Sequence, residues 1–181
     1  MKKRVTLKEQ EKLTAFRPAN FFADQLVYAR NQNLRQLMDV SGGRRLRMQE
    51  ISRFGGVQFL DDTACTDVHA LGYALESIRR PVLWITGGAD AEVNYSHLLP
   101  LVVEKVRALM AIGRDNSRLK SLFSPYIDVY ECYTMEQAVK TAFYSAESGD
   151  VVLLSSPCDY DGVCSSREDC SRQFREAVTE L

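Results

Sequence analysis

Four short apolar runs most restrict what this chain can fold into: PVLWITGG (81–88), ALMAIG (108–113), DVYECY (128–133) and DVVLLSS (150–156). All are rich in β-branched or aromatic residues and too short for a buried helix, so they suit parallel strands covered on both faces. Between and after them stand segments with helical period, at 67–79, 95–106, 115–123, 134–147 and 166–180. Thr134 with Gln137 has the spacing of a capping box, and Gly149 sits just past the following helix end. Repeated βα units with right-handed crossovers predict an α/β fold: a Rossmann-like, open, mostly parallel sheet with flanking helices.

Upstream the period changes. RLRMQEISRF and VQFLDD read as two strands joined at Gly55-Gly56, an antiparallel hairpin at the start of the sheet. Residues 1–43 are polar and amphipathic, with Leu26, Val27, Leu34 and Leu37 at helical offsets, and stop at Ser41-Gly42-Gly43. The expected organisation is an N-terminal helical extension over 1–43 and an α/β domain over 44–181.

Bulk charge excludes some partners. Lys plus Arg (23) nearly balances Asp plus Glu (24), so no global field draws the chain to nucleic acid or to an anionic membrane. The start, MKKRVTLKEQEKL, is basic but has no apolar core of a secretory signal, and no run of about eighteen apolar residues follows. A cytoplasmic location is expected. Five cysteines, an odd number, argue for thiols in a reducing compartment rather than for a disulfide framework.

In open α/β sheets, ligands sit beyond the carboxyl ends of the strands. The segments to inspect are therefore DDTACTD, GGADAEVNY, GRDNS and SSPCDYDGVC. The chain contains no P-loop and no G-x-G-x-x-G after the first strand. Gly87-Gly88 reads as a tight turn rather than a phosphate cradle, because glycine mostly serves backbone geometry. No cofactor is expected.

The order LRMQ, FLDDTACTD, ITGGAD, GRDN, GDVVLLSSPC and a helix containing RQFREAV resembles the C-terminal domain of the Mur ligases over roughly residues 44–181. The closest resemblance is to the peptidoglycan ligases that add D-glutamate to UDP-N-acetylmuramoyl-L-alanine. The resemblance implies a family that makes an acyl phosphate with ATP and then attacks it with an amine. In that family the C-terminal domain supplies the amino acid pocket and part of the lid over ATP.

Set against the family motifs, this sequence shows losses. The family's H-R-M-E becomes Leu46-Arg47-Met48-Gln49, keeping an arginine that the resemblance places towards ATP. Its D-S-K-A-T-N turn becomes Asp62-Thr63-Ala64-Cys65-Thr66-Asp67, with Ala64 in the place of the lysine while Asp62 and Thr66 survive. A second lysine, expected after G-G-x-D, falls at Ala91, next to Asp90. In S-P-A-C-A-S and the aromatic positions after it stand Cys158, Asp159 and Tyr160, then Gly162, Cys164 and Arg167, so a small pocket serine is replaced by Tyr160. Such chemistry is catalysed by positioning and by fixed positive charge on developing negative oxygens, and removing one such donor costs about 10²–10³ in rate. Two lysines are absent, and Asp62, Asp67, Asp90 and Glu92 make the pocket read as acidic, so it would repel a dicarboxylate. The vestigial site positions are Arg47, Asp62, Ala64, Thr66, Asp90, Ala91, Cys158 and Tyr160.

Other residues read more plainly. Asp61 and Asp62, adjacent at a strand end, point in opposite directions, one capping backbone amides and one in solvent. Thr66 or Asp67 is the N-cap of the next helix. The C-x₅-C-x₅-C spacing of Cys158, Cys164 and Cys170 differs from structural zinc sites, which leaves isolated thiols. His69 and His97 are surface or capping residues, and Trp84 belongs to a core strand. The basic clusters Lys2-Lys3-Arg4 and Arg44-Arg45-Arg47 are solvated faces or contacts for an acidic partner.

The leading functional expectation is a non-catalytic Mur ligase C-terminal domain homologue, a pseudoenzyme acting through a protein partner or self-association. Two alternatives remain. One is a subunit of a split ATP-dependent ligase using Arg47, Asp62 and Thr66. The other is a small amine or amino acid binding domain lined by Asp62, Asp90, Tyr160 and Cys158.

Overall fold

In the computed structural model the chain divides into two units, Met1–Arg44 and Arg45–Leu181. The residues described are 48–87, 93–158, 160 and 162–181, all in the second unit. Arg47, Asp90 and Ala91, the two basic clusters and the helical extension expected over 1–43 lie outside them.

The sheet has six strands: β1 (Gln49–Phe54), β2 (Val57–Asp61), β3 (Val82–Gly87), β4 (Val106–Ile112), β5 (Asp128–Cys132) and β6 (Val151–Leu154). Their spatial order is β1-β2-β6-β3-β4-β5. β1 runs antiparallel to β2, and every other neighbouring pair is parallel. The helices are α1 (Val68–Ser77), α2 (Leu99–Lys105), α3 (Ser117–Phe123), α4 (Met135–Ser145) and α5 (Arg167–Thr179), with a 3-10 turn at Tyr95–Leu98 before α2. The hairpin between β1 and β2 turns at Gly55 and Gly56, whose φ of 58° and 81° are the left-handed pair that a two-residue turn of matching twist requires.

Alternation along the central strands sends side chains to two cores. Phe59, Leu83, Ile85, Met110, Ile112, Val152 and Leu154 face one side, where they meet Val139 and Ala142 of α4 and Phe174 of α5. Leu60, Val82, Trp84, Leu109, Val151 and Leu153 face the other, against Leu71 and Leu75 of α1, Val102 of α2 and Phe123 of α3. Hydrophobic burial on both faces is why β3 and β6 read as unbroken apolar runs. β5 does not share that environment. It is an edge strand with Asp128, Tyr130 and Glu131 exposed, so the expectation that all four runs are covered on both faces fails there. Polar and aromatic residues on an exposed edge are the ordinary protection against further pairing.

The helix ends follow their caps. Thr134 Oγ1 accepts from the Gln137 amide at 3.1 Å, and Gln137 Oε1 accepts from the Tyr133 amide at 2.9 Å, a capping box shifted by one residue. Lys105 at the end of α2 donates Nζ to the carbonyls of Glu76 (2.7 Å) and Ile78 (2.8 Å), closing the end of α1. Among the described residues, no helix is long and apolar enough to cross a membrane.

The cysteines correct one expectation. Cys164 and Cys170 form a disulfide, while Cys65, Cys132 and Cys158 are free and buried. Cys164 lies on the loop entering α5 and Cys170 in its first turn, so the chain folds back and brings the two α-carbons to 5.3 Å, within bridging range. A spacing that fits no zinc site is therefore a pair plus a lone thiol, not three isolated thiols.

Candidate functional site

The carboxyl ends of β2, β6 and β3 lie side by side, and these ends with the turns leaving them carry most of the buried polar groups among the described residues. β2 ends in Asp61 and Asp62. The period of the strand sends Asp61 to the α5 side and Asp62 to the side of α1, as the sequence predicts. Neither reaches solvent, against expectation: the residues are 5% and 7% exposed. Asp61 Oδ1 accepts from the Thr63 amide (3.1 Å) and hydroxyl (2.9 Å), and its Oδ2 accepts from Ser171 Oγ and from Arg175 Nη2 at 3.1 Å. Its place beside α5 explains the burial, because that helix supplies both donors.

Asp62 is held differently. Its Oδ2 accepts from the buried Ser155 hydroxyl at 2.8 Å, and its amide donates to the Leu154 carbonyl at 2.8 Å. Burial, opposed by the Ser155 hydrogen bond and assisted by the charge of Asp61, pushes its carboxyl up to about 6. Asp62 thus gains its proton about two pH units above an ordinary aspartate and is still mostly ionised at neutral pH.

Asp67 caps α1 by accepting from the amides of His69 and Ala70, both at 2.8 Å. Ala64 and Thr66 project from the turn as exposed residues. Ala64 therefore presents only a methyl group there. Cys65 faces inward, and burial lifts its thiol to about 11, so it is no nucleophile at neutral pH. His69 and His97 are exposed.

β3 and β6 add a third cluster. Tyr95 donates its hydroxyl to the Gly87 carbonyl at 3.0 Å and lies 3.2 Å from Cys158 Sγ. Ser156 Oγ donates to the same Gly87 carbonyl at 3.2 Å and accepts from the Cys158 amide at 3.2 Å. Trp84 is fully buried and donates Nε1 to the Ser155 carbonyl at 2.9 Å, while its ring packs edge-on against Phe123. It is core, as expected.

The residue that the sequence reading underrated is Arg167. Counted there only as a replaced aromatic, it reaches back from the start of α5 and donates Nη1 to the carbonyls of Thr63 (3.1 Å), Cys65 and Ser156 (3.3 Å). A guanidinium thus lies inside the turn that was expected to be purely acidic. With Asp61 paired to Arg175 and Arg167 reaching into the turn, the described part of the site is not purely acidic. Its position as the first residue of α5, directly after the SSPC loop, was the available signal.

Of the expected amine pocket, Asp90 lies outside the described residues. A cavity of about 290 Å³ lies beside α5, lined by Tyr160, Gly162, Cys164, Ser165, Ser166, Arg167 and Cys170, without Asp62 or Cys158. The Tyr160 hydroxyl is buried there with no hydrogen-bond partner among the described residues, and burial raises its pKa well above the usual phenol range. Among the described residues no group of three or more His, Cys, Asp or Glu side chains is arranged to hold a metal ion.

Residues 46–158 match the family model described as Mur ligase, glutamate ligase domain. The chain belongs to this family. It is 38% identical over 158 residues to the UDP-N-acetylmuramoylalanine--D-glutamate ligase of Christiangramia forsetii, covering 87% of this chain and 36% of that protein. The corresponding ligase of Cytophaga hutchinsonii is 38% identical over 136 residues, covering 75% of this chain and 30% of that protein. The chain thus spans about a third of the length of these curated relatives. In fold it is similar to a crystal structure of a domain titled as from a UDP-N-acetylmuramate:L-alanyl-gamma-D-glutamyl-medo-diaminopimelate ligase of Haemophilus ducreyi 35000HP. That match has a TM-score of 0.50 at 10% identity, covering 74% of this chain and 99% of that one. As a Mur ligase domain, the chain has a six-stranded α/β sheet whose turn after β2 carries Ala64.

Proposed function

We propose that this Mur ligase domain does not run the amide-forming reaction and acts through contact with another protein. One observation carries the reading: the polar groups of the turn after β2 are spent on one another. Asp62 holds Ser155, Asp61 holds Thr63, Ser171 and Arg175, and Arg167 holds three carbonyls. Catalysis of acyl phosphate chemistry needs cations aimed at substrate oxygens. Ala64 offers none, and Nη1 of Arg167 is directed at main-chain carbonyls of the chain itself.

The opposite end of the sheet supports the contact. Phe54 at the hairpin and Tyr144 at the end of α4 are 47% and 81% exposed, with Phe143 between them at ring distances of 5.4 and 5.7 Å. Clustered exposed aromatics are characteristic of interface anchors.

A chimera tests the catalytic half. Residues 45–181 would replace the corresponding domain of the Christiangramia forsetii ligase, and formation of the glutamyl product would be measured with ATP. Activity at least about 10³-fold below the parent is expected, with partial return on Ala64→Lys together with Ala91→Lys. Turnover within tenfold of the parent refutes the reading. For the contact, Phe54→Ser with Tyr144→Ser should abolish retention of whatever protein the full chain retains from its native cell.

A second reading, a subunit of a split ligase, is favoured by Arg167, which restores one cation to the turn. It requires product when the chain is mixed with a separate P-loop protein, and that product must vanish with Arg167→Gln.

A further inference from the structure

We infer that Cys164 and Cys170 form a reversible thiol–disulfide site through which a dithiol reductant controls how firmly Arg167 holds the turn after β2. The bond spans a segment with Arg167 at its centre, and the other ties on that segment, the reach of Arg167 aside, are hydrogen bonds to residues close in the chain. The Ser165 amide and hydroxyl donate to Asp169 Oδ2 at 2.9 and 3.0 Å, and Gln173 Nε2 donates to the Val163 carbonyl at 3.3 Å. Those hydrogen bonds are exposed or half-buried, so they open more readily than the core. From this segment Arg167 reaches the carbonyls of Thr63, Cys65 and Ser156. Loosening its ends therefore loosens a crosslink between α5 and the turns after β2 and β6.

The chemistry is accessible at one sulfur. Cys164 is half-buried and, with Cys170, lines the open cavity of about 290 Å³, whereas Cys170 itself is only 1% exposed and the free cysteines are all buried. In reduction, a thiolate of the dithiol attacks Cys164 Sγ, the bond to Cys170 breaks, and Cys170 leaves as a thiolate that takes up a proton. The second thiol of the reductant then displaces Cys164 and closes the reductant's own disulfide, so two electrons pass from the dithiol to the protein. Glutathione disulfide reverses the change, with two glutathione molecules as the reduced product.

The bond is not what seats α5. Phe174, Ala177 and Val178 are buried in the core shared with α4 and remain so whether or not the first turn is clamped. Reduction is thus a local change rather than unfolding. It does not depend on whether ligase turnover has been lost, so the two ideas fail separately.

The full chain would be equilibrated with glutathione disulfide or with reduced thioredoxin, then alkylated in denaturant and analysed by mass spectrometry. Three cysteines should alkylate in the first case and five in the second. Amide hydrogen exchange on the two native forms should be about tenfold faster after reduction at Cys170 and at Cys65, whose amide bonds to the Asp62 carbonyl. The Ser155 amide, bonded to the Ile85 carbonyl, should keep its rate. Five alkylated cysteines under both conditions would overturn the inference. So would an unchanged Cys65 amide, or equal acceleration at Ser155, which marks a general strut. Cys164→Ser should exchange like the reduced protein in both buffers, and a variant still responding to thioredoxin would also overturn it. If that variant does not fold, the wild-type measurements decide alone.

Discussion

Replacing Asp62 by asparagine should stabilise this protein at neutral pH, although it removes a hydrogen-bonded group at a strand end. Asp62 is 7% exposed and its main partner is the neutral Ser155 hydroxyl, so ionising it in place costs more than ionising it in the unfolded chain. Its carboxyl titrates near 6 in the fold against an ordinary 3.8. The folded state therefore holds the extra proton between those values, and stability falls as pH rises through that window. At about 1.4 kcal/mol per pH unit for one proton, the loss integrates to about 3 kcal/mol by pH 7. Asparagine keeps the shape and an acceptor for Ser155 but cannot ionise. Some of the gain is offset by the weaker bond to a neutral acceptor, about 1 kcal/mol. The net expectation for Asp62→Asn is about 1–2 kcal/mol of stabilisation at pH 7.5 and little change or a slight loss at pH 4. Urea unfolding followed through the single tryptophan, at several pH values for both proteins, gives the difference directly. A variant less stable than wild type at pH 7.5, or a difference that does not change between pH 4 and 7, would refute the assignment of a burial-raised carboxyl.

Other substitutions probe the frame around the turn. Trp84→Phe should cost about 2–4 kcal/mol, since it leaves the Ser155 carbonyl unpaired and opens space against Phe123; a loss under about 1 kcal/mol in calorimetry contradicts the packing. Asp67→Ala should cost about 1 kcal/mol by removing the acceptor of two amides at the start of α1, with Asp67→Asn near neutral in urea titration. Gly56→Ala should lose more than about 1 kcal/mol, because φ is 81° and the added methyl would lie 2.4 Å from Ser148 Oγ; unchanged thermal unfolding would show that the turn relaxes. Reducing the Cys164–Cys170 bond should lower stability by only about 2 kcal/mol, as expected for a loop this short, and near-native circular dichroism should persist in dithiothreitol.

The fold was largely legible because its signals are local. β3 and β6 announced themselves as apolar runs, since both of their faces are covered, and Gly55-Gly56 announced the hairpin, since only positive φ closes it. β5 was misread for an equally physical reason: an edge strand and a central strand can carry the same β-branched content, and only the neighbour on the far side distinguishes them. The disulfide was invisible because spacing alone does not say that the chain reverses between Cys164 and the first turn of α5.

The site was half legible, and the division falls where sequence distance becomes large. Strand period alone places Asp61 and Asp62 on opposite faces of the sheet, and that direction is what the fold adopts. What each carboxylate meets is decided by elements about a hundred residues away in the chain: Ser171 and Arg175 for Asp61, Ser155 for Asp62. No local pattern encodes those meetings, so counting acids near the turn made it look repulsive. Net charge in a buried turn is a property of the assembled neighbours, and here α5 supplies Arg167 and Arg175 beside the carboxylates of Asp61 and Asp62. The turn around Ala64 is therefore not an acidic hole. Cations from α5 offset the turn's carboxylates, and that rebalancing from within explains how the strand-end geometry holds together. If that rebalancing holds the turn, Arg167→Gln should disturb the backbone of Thr63 to Cys65 in solution spectra, whereas Ala64→Ser should leave it in place.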